Sequence, residues 1–340
     1  MKKTILFIFL LLPFLLYSQK EREIILRPND NTTTWYLSQI AENVTPIPLS
    51  VSTQAIFIYL TDEYIYTCGI SSISQFYVSG KYIKTINLDG IVTGITGNNI
   101  KKEIYVSTDK NKKVIIYDYS LKEKKIYETK YIPASIFFNK NTLFIHSYDT
   151  DESNKVCYYK ISTLDLTTGQ EVFLAFDSKE TYKDIHPVSS GTFSTFNNQV
   201  MFSNWVEPVI YCIKENKVSP VIRCNTDIKE KEIRTMPFGK QGFIGKYMFI
   251  DYYISDVLSS GYSNLNNYFY LEDTKTGEGY NITYFIYDDI YNTGRCKINV
   301  GLNNHEDYFF YVKEKDEVEK ADNIIKISSG HVLFLVKTKK

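Results

Sequence analysis

The sequence predicts an all-β protein, a six-bladed β-propeller of four-stranded antiparallel blades whose ring is closed by an N-terminal strand. Three observations predict it. Tyr and Phe number 29 and 21 against 16 Gly, a bias toward residues that fill pleated, half-buried strands. Apolar strand-turn-strand units recur with turns roughly 40 to 60 residues apart, the span of one propeller blade. Six units of about 48 residues fill nearly all of the chain beyond its first segment, which leaves no room for a second domain.

That first segment, residues 1–18, reads as a signal peptide: Lys2 and Lys3 precede an apolar run from Ile5 to Tyr17, and small Ser18 ends it. The run is about thirteen residues, short of the roughly twenty that a spanning helix needs. Gln19, Lys20, Glu21 and Arg22 follow at once. No cysteine stands there to carry a lipid anchor, and no later stretch is apolar enough to ask for a bilayer, so the mature chain is expected to have no membrane span. Residues 19–43 read as a lead segment and 44–340 as the propeller, periplasmic or extracellular. Lys plus Arg equals Asp plus Glu at 39 each. Losing Lys2 and Lys3 leaves the mature chain slightly acidic, which argues against a nucleic-acid partner.

The clearest hairpin spans residues 74–86, with Gly80 in its turn; glycine supplies the positive φ that tight hairpin turns require. Comparable hairpins lie at 114–129, 156–176, 209–224 and 268–285, and a shorter sixth at 324–336 around Gly330. The inner halves of blades show at 132–138 with 142–146 and at 192–196 with 200–204. A charged segment, 313–323, sets Val318 and Ala321 three apart on one face, which predicts a surface helix inside the last blade. Residues 44–49 are the expected ring-closing strand.

Five cysteines are present, Cys68, Cys157, Cys212, Cys224 and Cys296, and the odd number precludes complete internal pairing. Cys212 and Cys224 sit roughly equidistant from an expected turn at 216–218, so a cross-strand bridge is one reading. Packing as small apolar strand residues is the other.

The stretch Leu37-Ser38-Gln39-Ile40-Ala41-Glu42-Asn43-Val44-Thr45-Pro46-Ile47-Pro48-Leu49 resembles the N-terminal signature of a family of secreted six-bladed β-propeller proteins from anaerobic gut bacteria, most of them of unknown function. The similarity continues through the Gly80-Lys81 hairpin and ends in Val332 to Lys340. Many relatives carry a Gly-Pro-Gly-Glu-like turn after the first blade, where this chain reads Leu88-Asp89-Gly90-Ile91-Val92-Thr93-Gly94. Any role of that turn is therefore not carried over. The resemblance implies the fold and export, and no reaction.

In a propeller the second-to-third-strand loops and the blade-to-blade linkers open on one face, where ligands are held. The residues expected there are Asp149, Asp151, Glu152, His186, Trp205, Glu207, Tyr262, Asp288 and Arg295. Trp205 beside Glu207 could stack on a sugar ring or simply cover a blade edge. Asp149, Asp151 and Glu152 could hold calcium, but they lack the glycine and spacing of an EF-hand and read more simply as solvated acids. His186, before Pro187, is the candidate for proton transfer. Arg295 could bind a carboxylate or sulfate with its planar fork, or pair with Asp288 and Asp289. His146, in an apolar strand, reads as a satisfied core residue.

No histidine pair has zinc-site spacing, and neither a Cys-x-x-Cys pair nor a Gly-x-Ser-x-Gly elbow occurs. No catalytic residue, metal site or cofactor is assigned on this basis. The expected function is a non-enzymatic binding or scaffold module that presents its loop face to a glycan, peptide or protein. The alternative is a hydrolase or lyase acting on a sugar or lactone, with a metal in the central channel.

Overall fold

The computed structural model describes residues 21–27, 33–52, 55–181, 191–204, 207–226, 238–257, 263–283, 285–296, 298–299, 306–321 and 330–340. The chain begins with β1 (Arg22–Leu26), α1 (Leu37–Ile40) and β2 (Ala41–Pro48). Blade 1 is β3 (Phe57–Leu60), β4 (Tyr64–Cys68), β5 (Ser72–Tyr77) and β6 (Tyr82–Asn87), and blade 2 is β7 (Val92–Asn98), β8 (Glu103–Thr108), β9 (Lys113–Asp118) and β10 (Glu123–Glu128). Blade 3 is β11 (Ile132–Asn139), β12 (Thr142–Asp151), β13 (Val156–Leu164) and β14 (Glu171–Phe173), with β15 (Ser178–Thr181) on the other half of β13. Blade 4 is β16 (Thr192–Phe196), β17 (Gln199–Ser203), β18 (Val209–Lys214) and β19 (Lys217–Thr226), and blade 5 is β20 (Phe238–Ile244), β21 (Tyr247–Val257), β22 (Ser263–Asp273) and β23 (Glu278–Thr283). A small hairpin, β24 (Ile286–Asp288) and β25 (Gly294–Cys296), leads into blade 6, where β26 (Tyr308–Glu314), α2 (Lys315–Glu319) and β27 (His331–Thr338) follow. These sheets form a ring, a six-bladed β-propeller.

The ring closes where β2 pairs antiparallel with β27, from Ala41 opposite Thr338 to Pro48 opposite Val332. The closing strand is thus the expected one, three residues longer at its start. It forms the outermost strand of blade 6, whose inner edge is marked by Asn299 exchanging two backbone hydrogen bonds with Phe310. Of the hairpin expected at 324–336, the described part is β27, which has β26 on one side and β2 on the other; its first half lies outside the described residues. The surface helix is shorter than the charge pattern predicts: Lys313 and Glu314 belong to β26, since β27 needs that length of partner, although Val318 and Ala321 are buried as expected. Residues 322–329 lie outside the described residues.

The apolar core is radial. Six clusters of buried side chains fill the six seams between neighbouring blades. Alternation explains how one strand serves two seams, because successive side chains point to opposite faces of a sheet. In β4, Tyr66 and Cys68 enter the seam with blade 2, whereas Ile65 enters the seam with blade 6. Both faces of a blade are therefore apolar. Phe76, Phe202, Phe249, Phe309, Phe310 and Phe334 are fully buried this way, each contributing roughly 2 kcal/mol of transfer free energy.

Gly80 shows how a turn and a seam are fixed together. Its φ is +83°, its carbonyl accepts the Ser50 N–H at 3.0 Å, and a Cβ placed on it would lie 2.0 Å from the carbonyl oxygen of Pro48. Gly80→Ala is expected to destabilise the protein by about 2 kcal/mol, through positive φ and that clash. Urea unfolding checks this, and a loss under about 0.5 kcal/mol would show that the turn relaxes freely.

All five cysteines are buried free thiols. The tight turn falls at Glu215 and Asn216, both at positive φ, and it puts Cys212 opposite Ser219. The Cys224 N–H reaches Pro208 instead. The two sulfurs therefore miss one another, and each packs in the apolar seam between blades 4 and 5. Burial pushes the Cys224 thiol up to about 12.

Candidate functional site

On the loop face, the described residues of the expected set are engaged in local structure. β12 extends through Asp149 and Asp151, which stand opposite Tyr158 and Val156, so the loop is only its tip. Asp151 caps that tip. Its Oδ1 accepts from the Ser153 N–H at 3.1 Å, the Ser153 hydroxyl at 2.6 Å and the Asn154 N–H at 3.1 Å, and its Oδ2 from the Asn154 amide at 2.8 Å. Those donors, the side chains foremost, hold its carboxyl down at about 2. Glu152 lies 3.9 Å from Lys155 in an exposed ion pair. Among the described residues, no three of His, Cys, Asp and Glu are grouped as metal ligands would be.

Glu207 is a strut between blades. It accepts from the Ser178 hydroxyl of blade 3 at 2.6 Å and from the Tyr211 hydroxyl, while its N–H donates to Asn204 Oδ1 at 3.0 Å. Asp288 is a buried knot: its carboxylate takes the N–H groups of Ile290 and Tyr291, the Thr293 hydroxyl at 2.5 Å and the Tyr311 hydroxyl at 3.0 Å. Asp289 is bound by the Ser38 N–H and hydroxyl. With both carboxylates so engaged, Arg295 turns elsewhere, donating from Nε to the Tyr287 hydroxyl at 3.0 Å over the Phe285 and Tyr287 rings. His186, Trp205 and Tyr262 lie outside the described residues.

His146 is in the core, as expected, but neither ring nitrogen has a hydrogen-bond partner among the described residues. Its ring lies between Tyr159, stacked at 5.7 Å, and Phe202 at 4.9 Å. Burial holds its pKa down at about 3.

Among the described residues, two adjoining cavities lie on the opposite face, at the tight turns, and sequence reasoning did not find them. The first is an apolar slot of about 250 Å³ between blades 4 and 5. Phe196 stacks on Phe243 at 4.3 Å, Met201 and Met248 supply sulfur-bearing walls, and Arg22 stands at the side. The second is a polar basin of about 490 Å³ across the first turn of blade 4, the first and third turns of blade 5 and the residues just before β26, bearing Lys246, Lys275, Glu306 and Asp307. Phe196, Asn197 and Thr274 border both. Lys246 is fixed by Asp273 at 2.7 Å, which raises its pKa, and the Gly245 N–H donates to the Glu306 carbonyl at 2.6 Å. The basin is thereby tied to the edges of two blades. The signal in the sequence was the pair of turn motifs Asn197-Asn198 and Gly245-Lys246, which mark turns without marking what gathers between them.

No family model and no curated protein matches this chain. Among solved structures it is similar to a Bacteroides fragilis protein described as exported, at 13% identity and a TM-score of 0.63, covering 94% of this chain and 100% of that one. It is also similar to a member of the DUF4221 family from Bacteroides vulgatus, at 12% identity and a TM-score of 0.52, covering 88% of this chain and 97% of that one. At these identities the likeness shows the fold.

Proposed function

We propose that this protein is an exported, non-catalytic binding module that captures a segment of a partner protein on its turn face. One observation carries the reading: an apolar slot shares the bordering residues Phe196, Asn197 and Thr274 with a basin bearing both signs of charge. A slot of about 250 Å³ exceeds the roughly 150 Å³ that holds a benzene ring, so it admits a Leu- or Phe-sized side chain. Met201 and Met248 adapt to such an anchor because thioethers are flexible and polarisable. Lys246, Lys275, Glu306 and Asp307 then suit the backbone and charged neighbours of a peptide. A strongly anionic ligand would want cations alone, and the chain's charges balance at 39 each. Export is supported by Lys2, Lys3 and the apolar run behind them.

A library of immobilised peptides probed with the mature protein tests this. Selected peptides should carry a central Leu, Phe or Met, and Phe196→Ala should weaken them about tenfold, or about 1.4 kcal/mol. Charge reversal at Lys275 should change the preferred flanking charge. If the selected peptides ignore Phe196→Ala and are lost on Trp205→Ala, the ligand belongs to the loop face and the turn-face reading falls.

A further inference from the structure

We propose that the outer edge of blade 4 is a strand-acceptor site, filled in the resting protein by the chain's own residues 21–27 and able to take an extended partner segment of the pattern Arg-x-aliphatic-x-aliphatic. β1 pairs with β19 in parallel, Arg22 opposite Ile222 through Leu26 opposite Thr226. It is the one parallel ladder among the described strands, and ring closure does not depend on it because β2 performs that task. Adding a strand to an exposed sheet edge is a general mode of peptide capture, in which the main chain gives affinity and alternate side chains give specificity.

The acceptor reads three side chains. Ile24 and Leu26 enter the seam with Met201, Ile210, Met248 and Tyr252, whereas Ile25 between them is 48% exposed. Arg22 makes two hydrogen bonds of 2.6 Å to the two oxygens of Glu272. Glu272 is fully buried in blade 5, and Tyr270 also donates to it, at 3.0 Å. An Arg fork against a buried carboxylate is a geometric requirement that few segments meet. Pro220, which has no N–H to offer, ends the acceptor edge just before the paired residues. The outer strands of blades 1 and 2 carry Lys84, Lys124 and Lys125, the charged residues that discourage strand addition. On blade 4 the edge is covered by β1.

A tethered strand competes at an effective concentration in the millimolar range. A partner strand therefore binds well only when the internal one is weakened. The test uses the mature chain and a fluorescein-labelled peptide of the sequence Glu-Arg-Glu-Ile-Ile-Leu-Arg, read by anisotropy and by amide exchange at residues 24–26. Arg22→Ala in the protein should loosen β1 and tighten peptide binding at least tenfold over the wild type. The same peptide with its first Arg replaced by Ala and its first Ile by Asp should not bind. Should the 24–26 amides of Arg22→Ala stay protected, the double variant with Ile24→Asp replaces it. Should neither variant fold, excess peptide during refolding must restore the fold. Failure of the peptide to bind a protein whose β1 amides exchange freely, equal binding of the substituted peptide, or failure to restore folding overturns the proposal. Because Arg22 also borders the turn-face slot, the titration is repeated with Phe196→Ala added to Arg22→Ala: binding that persists belongs to the strand edge, and binding lost with Phe196 belongs to the slot and overturns this proposal while leaving the turn-face reading standing.

Discussion

Acidification from pH 7 to pH 4 is expected to cost the fold about 3 kcal/mol through His146 alone. The imidazole is fully buried against Tyr159 and Phe202, and burial lowers its pKa from 6.5 to about 3. An unfolded chain takes up that proton below pH 6.5, whereas the folded one refuses it until about pH 3. The sign follows: this contribution is complete above pH 6.5 and is lost as the pH falls, by about 1.4 kcal/mol per unit. His146→Leu removes the titration. It also removes two buried nitrogens without partners among the described residues, so the variant should be at least as stable as the wild type at pH 7. Urea midpoints of both proteins at pH 7 and pH 4 decide the matter. Parallel losses would show that other groups carry the acid sensitivity.

His146 also marks where the sequence was legible and where it was not. Its strand and burial follow from the apolar run around it, because a blade packed on both faces leaves a continuous apolar signal in each inner strand. Whether its nitrogens find partners depends on Gly191 and Phe202 of the next blade, where a Cβ on Gly191 would lie 2.8 Å from Nδ1. Local pattern cannot reach that far. The hairpins around Gly80, Gly169 and Gly277 were readable because each turn glycine has positive φ. The closing strand was readable because its partner is a strongly apolar strand at the other end of the chain. Asp288 and Asp151, in contrast, look alike in sequence. One becomes a buried knot only because Thr293 and Tyr311 arrive beside it, and the other caps an exposed tip. The cavities escaped notice for a similar reason, since their walls come from turns of blades 4 and 5 and from the residues just before β26, with no motif in common.

Arg22→Ala is expected to lower stability by about 3 kcal/mol, because removing one partner leaves a buried carboxylate uncompensated. Glu272 is fully buried and answered by the two guanidinium hydrogen bonds of Arg22, whose own side chain is 48% exposed. That exposure places the cost at the low end of the range for buried pairs, since water already screens the cation's outer side. The remedy discriminates between charge and packing. Arg22→Met combined with Glu272→Leu should regain most of the loss, because apolar residues of similar volume replace a buried pair at little cost. If β1 detaches, Glu272 reaches water and the penalty stops growing, so the loss cannot exceed the free energy that docks the strand. Equilibrium unfolding of Arg22→Ala, read beside amide exchange at Ile24 and Leu26, therefore sets a lower bound on that docking energy. A loss below about 1 kcal/mol with those amides still protected would mean that Ile24 and Leu26 hold the strand without the latch.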